Sequence, residues 1–180
     1  MTGVSMPDLT TDRLLLRQWR DSDREPFAGL NADPAVMEHF PRLVTREESD
    51  ALIDRASASI ADQGWGLWAV EVRSTGEFIG FTGMAVPRFE AAFLPGVEIG
   101  WRLAKSAWGN GYAPEAARAA LAFGFGSAGL TEIISFTATT NLPSQRVMQK
   151  IGMTHDEDFD HPNIPDGHRL KRHVLYRISK

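Results

Sequence analysis

The chain has 180 residues, of which 43% are hydrophobic and 23% charged, a composition that suits one globular domain with a real core. Its net charge of −4 argues against a general basic surface for nucleic acid, and the absence of cysteine excludes disulfides, thiolate metal ligands and a cysteine nucleophile. No run of about 18 apolar residues occurs, and the first residues lack the pattern of a signal peptide. We therefore expect one cytoplasmic domain over residues 1–180, with neither a membrane nor a nucleic-acid partner.

The first third of the chain predicts one strand followed by helices. In the segment 9–17, Leu14 and Leu16 alternate with Arg13, Leu15 and Arg17, which suits a strand with one fully buried face. A helix is expected after Asp23, and a short helix around residues 35–40. Thr45 opens a capping-box pattern, so a longer amphipathic helix should follow it and end near residue 63.

The middle of the chain predicts a hairpin and then a loop. Residues 65–72 and 77–86 have the composition of paired strands, and the turn between them carries Gly76. The loop 87–95 that follows contains three apolar residues: Phe89, Phe93 and Leu94. This loop either faces a substrate or a second copy of the chain, or packs back onto its own core.

The segment 97–119 predicts a strand, a glycine-containing turn and a helix without intervening residues. Gly100 interrupts the alternation of the strand, which indicates either a bulge or a merely irregular core strand. Gly109 and Gly111 precede the helix, whose first N–H groups have no intrahelical partner, so the turn is either a phosphate site or an ordinary connection. No Gly-Lys-Ser/Thr sequence follows, and the third glycine of a dinucleotide fingerprint is absent.

The remaining residues complete an alternating pattern of helices and strands. The same criteria predict a helix over 116–125, a strand over 131–138, a helix after Asn141, and strands over 153–158 and 173–178. The order from the N-terminus is βααβββαβαββ. Such an order predicts an α/β or α+β fold, with helices layered on a mixed sheet.

The segment from Glu98 to Ala116 resembles the acetyl-coenzyme A motif of the GNAT N-acetyltransferase superfamily. The family writes its loop as [QR]-x-x-G-x-[GA], and residues 106–111 read Ser-Ala-Trp-Gly-Asn-Gly, so serine replaces the usual first residue. The form W-G-x-G-Y-A-x-E-A is typical of the branch that includes the ribosomal-protein N-terminal acetyltransferases. The resemblance covers essentially the whole chain. It implies a mostly antiparallel twisted sheet of about seven strands with flanking helices, in which two central parallel strands splay apart for the cofactor.

The resemblance also implies the ligand and the residues that hold it. The expected co-substrate is acetyl-coenzyme A, and no metal is needed, in keeping with five histidines that lack any metal-ligand spacing. Cofactor contacts are implied for one strand, the loop and a later helix: Trp101, Leu103, Ser106, Trp108, Gly109, Asn110, Gly111, Tyr112, Ala113, Asn141 and Ser144.

Glu98 is the candidate general base for deprotonating the acceptor amine. The alternation of the strand places it opposite Ile99 and Trp101, so its carboxyl group can face a cleft. The family often has its acidic residue near this position. The alternative is a structural ion pair with Arg102, which lies on the same face of the strand.

Ser144 is the candidate hydrogen-bond donor to the leaving thiolate. Many relatives carry a tyrosine seven residues after the helix-capping asparagine, but that position here is Met148. The ribosomal-protein branch instead has N-x-x-S, which matches Asn141 and Ser144. The alternative is that Asn141 is only a helix cap and Ser144 a first-turn residue.

The expected activity is therefore acetyl transfer from acetyl-coenzyme A to a primary amine, either a protein N-terminal α-amine or a small amine. A homodimer is compatible with the apolar loop 87–95. The missing tyrosine keeps a second interpretation open, namely a non-catalytic acyl-coenzyme A sensor on the same fold. A third interpretation, an unrelated nucleotide-binding domain, is disfavoured by the incomplete phosphate motifs.

Overall fold

The computed structural model describes residues 7–180, so the first six residues, on which part of the signal-peptide argument rests, lie outside the described chain. One eight-stranded sheet carries four helices. The strands are β1 (Leu9–Thr10), β2 (Leu14–Arg17), β3 (Leu67–Val72), β4 (Glu77–Ala85), β5 (Glu98–Leu103), β6 (Glu132–Ala138), β7 (Thr154–Asp160) and β8 (Arg172–Ser179). The helices are α1 (Arg24–Asn31), α2 (Arg46–Gln63), α3 (Tyr112–Phe125) and α4 (Leu142–Lys150).

The strand order is β1-β2-β3-β4-β5-β6-β8-β7, and within residues 7–180 β5 and β6 form the one parallel pair. These two strands pair at a single register position, Glu98 opposite Ile134. The Ser135 hydroxyl also donates to the Ile99 carbonyl at 2.9 Å, and beyond this point the ladder stops. The predicted mixed, mostly antiparallel sheet is confirmed, and its central parallel pair is open toward the ends of both strands.

The predicted strand over 9–17 is wrong in one respect, because the structure divides it into β1 and β2. Leu9 pairs with Leu16, so the two strands form a short hairpin. The Thr11 side chain accepts from the Leu14 N–H at 3.0 Å, and the Thr11 N–H donates to the Leu14 carbonyl at 2.9 Å. These local bonds to a threonine stabilise the turn in place of a continuous strand. The sheet therefore has eight strands where about seven were expected.

The predicted short helix at residues 35–40 is also absent, and turns take its place. The Asp33 side chain accepts from the Ala35 N–H at 2.8 Å, which is the local bond by which aspartate favours a turn over a helix. The Met37 and Phe40 N–H groups close single turns onto Asp33 and Met37. The segment between α1 and α2 is consequently free to cross the end of the sheet.

The two faces of the sheet pack against different helices. On one face α3 presents three alanines with no exposed surface, Ala116, Ala117 and Ala120, and their small side chains allow close approach to β4 and β5. On the other face α1 packs on β4, where the rings of Phe27 and Phe81 meet edge-on at 5.9 Å, and α2 packs on α1 and β3. Because successive strand residues face opposite sides, each residue of β5 is assigned to one face by this packing. None of the helices within residues 7–180 is long and apolar enough to cross a membrane.

Candidate active site

Strand β5 directs Glu98, Gly100 and Arg102 to the face covered by α1 and α2. Arg102 lies opposite Phe81 in the antiparallel ladder, and directly opposed residues share a face. Ile99 and Leu103 face the other way and are buried in the α3 core. The polar half of the strand therefore faces the side of the sheet that the segment between α1 and α2 crosses.

Glu98 is a partly buried carboxyl group without a partner. Within residues 7–180 its side chain forms no hydrogen bond and no ion pair, so the alternative ion pair with Arg102 is not present. Burial raises the pKa of Glu98 from 4.5 to about 8, because removal from water disfavours the charged form. A carboxyl group in this state can take up a proton near neutral pH, as a general base must.

The raised pKa of Glu98 predicts how stability depends on pH. Between pH 4.5 and about 8 the folded chain holds a proton that the unfolded chain releases. Wild type should therefore lose unfolding free energy as pH rises through this window, by at most about 1.4 kcal/mol per pH unit from this group. Glu98→Gln removes the group, so denaturant titrations of both proteins should diverge across the window. Parallel curves would contradict the burial of Glu98.

The loop after β5 leaves a row of backbone N–H groups free. Gly109 and Gly111 adopt φ angles of 77° and 76°, a left-handed conformation that favours glycine. In the described chain the N–H groups of residues 109–113 donate to no acceptor, and they lead into the first turn of α3. Such a row at a helix N-terminus binds anions, phosphate above all.

Two side chains of the loop fix its shape from within. The Trp108 indole N–H donates to the Leu103 carbonyl at 2.9 Å, although its side chain is largely exposed. The Asn110 side-chain amide donates to the carbonyls of Ala107 and Trp108, both at 3.1 Å. Because both side chains donate to backbone carbonyl groups, these bonds stabilise the loop and leave its backbone N–H groups available.

A charged latch that the sequence did not reveal ties this loop to the N-terminal hairpin. Glu115 accepts from the Thr11 hydroxyl at 2.7 Å and from the Arg13 guanidinium at 2.7 Å. Burial acts to raise the pKa of Glu115, but these hydrogen bonds outweigh it and the pKa is lowered. Arg13 also donates to the Asn110 carbonyl at 2.8 Å and lies over the Tyr112 ring. The partners are about a hundred residues apart, so no local pattern indicates them.

The structure separates the predicted cofactor residues into two groups. Ser106, Trp108, Gly109, Asn110 and Gly111 are exposed, and they lie with half-buried Tyr112 and Ala113 in one continuous stretch. The side chains of Trp101 and Leu103 pack toward the α3 core instead. Trp101 and Leu103 can therefore offer a ligand only backbone groups, and the Leu103 carbonyl is already taken by Trp108.

Asn141 and Ser144 occupy the start of α4. The Asn141 side-chain oxygen accepts from the Ser144 N–H at 3.2 Å, and its amide donates to the Thr137 hydroxyl at 2.9 Å. Asn141 is thus a helix cap in this structure. The half-buried Ser144 hydroxyl has no hydrogen-bond partner within residues 7–180, which leaves it free to donate. Met148, where many relatives carry tyrosine, is buried in the core.

The two tyrosines of the chain are engaged elsewhere. Tyr112 lies beneath the Arg13 guanidinium, 4.7 Å from its ring centroid. Tyr176 is buried under α4, where its hydroxyl accepts from the Gln149 amide at 3.2 Å. Neither tyrosine shares the face of β5 that carries Glu98.

The apolar loop 87–95 packs onto its own domain. Phe89 lies 5.4 Å from Phe136 of β6, and Phe93 lies 4.8 Å from Phe159 of β7. His161 joins this cluster, and burial lowers its pKa to about 4, so it is neutral at physiological pH. Of the two interpretations of this loop, the structure therefore favours packing on its own core. Residues 7–180 contain no group of three or more side chains placed to hold a metal ion.

The segment between α1 and α2 bridges the site. The His39 ring lies 3.2 Å from the Thr140 hydroxyl beyond the end of β6, and the Arg169 guanidinium donates to the Glu38 carbonyl at 2.7 Å. Phe40 meanwhile covers the guanidinium of Arg102, 4.3 Å from its ring centroid. Residues 38–40 thereby form a roof that joins α1 to the far half of the sheet.

These features define a class of protein. A row of free backbone N–H groups and an unpaired carboxyl group lie at the two ends of one strand, beside the opening between two parallel strands. Such an arrangement suits an enzyme that combines an anionic substrate with a proton acceptor.

Comparison with known proteins identifies the family. The family model described as "Acetyltransferase (GNAT) domain" matches residues 13–154. The FsC-acetyl coenzyme A-N(2)-transacetylase of Aspergillus fumigatus is 34% identical over 195 aligned positions, which cover 100% of this chain and 79% of that protein. The chain belongs to the GNAT acetyltransferase family and is an N-acetyltransferase.

Solved structures agree with this assignment. A GNAT-family acetyltransferase from Bacillus anthracis superposes with a TM-score of 0.79 at 27% identity, covering 96% of this chain and 98% of that one. The Mycobacterium smegmatis RimJ, solved in complex with a coenzyme A disulfide, has a TM-score of 0.78 at 21% identity, with 99% and 90% covered. At 21% identity, the similarity to RimJ shows a shared fold and nothing more.

Proposed function

We propose that this enzyme transfers an acetyl group from acetyl-coenzyme A to a primary amine by direct attack on the thioester. The observation that carries the proposal is the row of free N–H groups at residues 109–113, one strand-length from the unpaired carboxyl group of Glu98. The row suits the phosphates of coenzyme A, and the opening between β5 and β6 suits an extended arm. Acetyl-coenzyme A, when bound, supplies the acetyl group as a thioester.

Glu98 acts on the acceptor in this scheme. An amine attacks only when neutral, so its ammonium form must first give up a proton, and Glu98 takes that proton directly or through water. An α-amine has a pKa of about 8, close to the pKa of about 8 for Glu98, so the transfer is nearly balanced. A lysine amine, with a pKa near 10.4, would be harder for this carboxylate to deprotonate. The match therefore favours α-amines or small amines of similar basicity.

Ser144 completes the scheme on the leaving-group side. As the C–N bond forms and the C–S bond breaks, the departing sulfur gains charge that a hydroxyl can stabilise by donating a hydrogen bond. Ser144 is free to do so because its hydroxyl has no partner in residues 7–180. A thiol with a pKa of about 8.5 leaves readily, so this contribution is expected to be modest.

The acceptor is either a small amine or a protein N-terminus, and two observations bear on the choice. One relative is named for transfer to an N(2) position, whereas the loop W-G-x-G-Y-A-x-E-A resembles the ribosomal-protein branch. The roof formed by residues 38–40 covers Arg102 on the same face of β5 as Glu98, which favours a small amine.

The sequence also allowed a non-catalytic coenzyme A sensor, because Met148 cannot donate a proton to the thiolate. The unpaired Glu98 argues against it, since burying a carboxyl group without a partner is costly and serves no sensor. Release of free thiol from acetyl-coenzyme A, measured against a panel of small amines and N-terminal peptides, distinguishes the two. Tight binding without turnover would support the sensor, and absence of coenzyme A binding would contradict both.

Gly111→Ala tests the anion site. Its φ of 76° is strained for alanine by about 1–3 kcal/mol, and relaxation of that strain would turn the N–H groups away from a common point. We expect the KM for acetyl-coenzyme A to rise about tenfold or more, with a smaller change in the acceptor KM.

Gly129→Ala is the matched control, because Gly129 also has a left-handed φ, 68°, but lies beyond the far end of α3. Both variants should lose similar thermal stability. An equal rise in KM in the two variants would refute the assignment of the loop.

A further inference from the structure

Arg102 is a cation that the chain itself leaves almost unsatisfied. Its one hydrogen bond goes to a neutral group, the Asn31 side-chain oxygen, at 2.7 Å. No carboxylate of the described chain lies within 4 Å of it, and its Nε–H is shielded from solvent without any acceptor. Burial lowers the pKa of Arg102 to about 10, which reflects the same lack of compensation.

Arg17 shows that this fold can neutralise a buried arginine when it needs to. Arg17 is 3% exposed, and it forms two hydrogen bonds with Asp23, at 2.8 and 2.9 Å, and one with Glu71 at 2.7 Å. Arg102 lies on the same sheet, but no aspartate or glutamate of residues 7–180 pairs with it. Leaving a buried donor unpaired costs about 1–3 kcal/mol, more when it is charged, so the omission at Arg102 calls for a compensating ligand.

The surroundings of Arg102 leave the edge of its guanidinium as the binding side. Phe40 lies over the guanidinium at 4.3 Å, and Phe81 lies at 5.5 Å. Aromatic rings stack on the face of the planar guanidinium, whereas its N–H groups point outward in the plane. A carboxylate accepts two such N–H groups in parallel, which is the geometry for which arginine is preorganised.

Gly100 creates room between Arg102 and Glu98. A Cβ atom placed on Gly100 would meet one heavy atom within 4 Å, the Glu98 carboxylate oxygen at 3.9 Å. The three residues share one face of β5, so bare backbone forms the floor of a slot. A carboxyl group closes one end of the slot and a guanidinium the other.

We propose that Arg102 binds a carboxylate on the acetyl acceptor while the amine of the same molecule is presented to Glu98. The acceptor is then a small molecule with a primary amine and a carboxylate several bonds apart. Glu98 and Arg102 are four residues apart, or about 13 Å between Cα atoms at 3.3 Å per strand residue. The Glu98 carboxyl group extends toward Gly100, so the gap that the acceptor spans between the two charged groups is shorter than this Cα separation. This inference rests on the proposed acetyl transfer and names its substrate class.

The test uses acceptor pairs that differ only in the carboxylate: γ-aminobutyrate with n-butylamine, and ε-aminocaproate with n-hexylamine. Wild type should prefer the anionic member of the better pair by at least about tenfold in kcat/KM, the value of one charge-assisted hydrogen bond. Arg102→Gln should abolish this preference by raising the KM of the anionic acceptor about 10–100-fold. The kcat and the KM for acetyl-coenzyme A should change little.

The control is Arg55→Gln, because Arg55 is exposed on α2 and should leave the preference intact. Arg102→Lys keeps the charge but loses the planar fork, so partial retention of the preference is expected. It also keeps the test available if Arg102→Gln does not fold. Equal kcat/KM for both members in wild type, or an equal loss for both in Arg102→Gln, would overturn the proposal. The proposal would also be overturned if N-terminal peptides were acetylated faster than both anionic acceptors, whether or not the peptides carry acidic residues.

A binding measurement separates this inference from the proposed function. ε-Aminocaproate should raise the melting temperature of the coenzyme A-saturated enzyme more than n-hexylamine does, and Arg102→Gln should remove the difference. If no acceptor is acetylated but this difference exists, the carboxylate site stands and the catalytic proposal fails. If the two probes shift the melting temperature equally, and turnover shows no preference, the carboxylate site is refuted.

Discussion

Glu98→Gln is expected to lower kcat by about 10²–10⁴-fold, the usual contribution of a general base. Glutamine keeps the shape of the side chain but cannot accept the amine proton. The KM for acetyl-coenzyme A should stay within about twofold, because the free N–H groups at residues 109–113 lie beyond the other end of β5. Steady-state kinetics across a pH series measures both. In wild type kcat should rise with pH up to about 8, where the Glu98 carboxyl becomes ionised, and the variant should lack this rise.

Glu77→Gln is the control for that experiment. Glu77 is an exposed glutamate at the start of β4, so its replacement should leave kcat unchanged. If Glu98→Gln retained wild-type turnover at neutral pH, another group would have to be the base, and the scheme above would be wrong. If it raised only the KM for acetyl-coenzyme A, Glu98 would belong to cofactor binding.

Arg17→Met should destabilise the fold by about 3–5 kcal/mol, the usual cost of removing one partner of a buried ion pair. Asp23 is 2% exposed and would lose two of its hydrogen bonds, while Glu71 would lose one. For a chain of this size the melting temperature should fall by roughly 6–20 °C. Differential scanning calorimetry measures the change directly.

Arg20→Met provides the matched comparison, because Arg20 also contacts Glu71, at 3.2 Å, but its side chain is 57% exposed. Exposed pairs contribute about 1 kcal/mol or less, so this variant should melt close to wild type. Equal losses in the two variants would show that burial of the Arg17 pair adds nothing to stability.

The sequence predicted much of the fold because its local signals were strong. Thr45 accepts from the Glu48 N–H and closes the expected capping box, and α2 ends at Gln63, where the pattern placed its end. The glycine turn before α3 also formed as expected. The prediction from sequence failed at residues 11–13 and 35–40, where hydrogen bonds between the side chains of Thr11 and Asp33 and the backbone compete with regular structure.

The candidate site likewise combines features that local sequence predicts with contacts that it does not predict. The loop at residues 106–113 and the side of β5 that carries Glu98 followed from motif and alternation, which depend on neighbouring residues. The latch of Arg13 on Glu115 and the roof at His39 did not, because their partners lie about a hundred residues away in the sequence. No periodicity or capping rule reports contacts of that range.

By itself, the sequence determined the order of elements outside residues 9–17 and 35–40, the glycine turn before α3, and the face of β5 on which Glu98 and Arg102 lie. These features depend on backbone geometry over a few residues. Only the tertiary structure decided that Glu98 is partly buried and unpaired, and that Arg102 has Asn31 and two aromatic rings around it but no carboxylate. Burial and pairing are properties of the assembled sheet and its helices, because distant segments supply both the water-excluding surface and the missing charge.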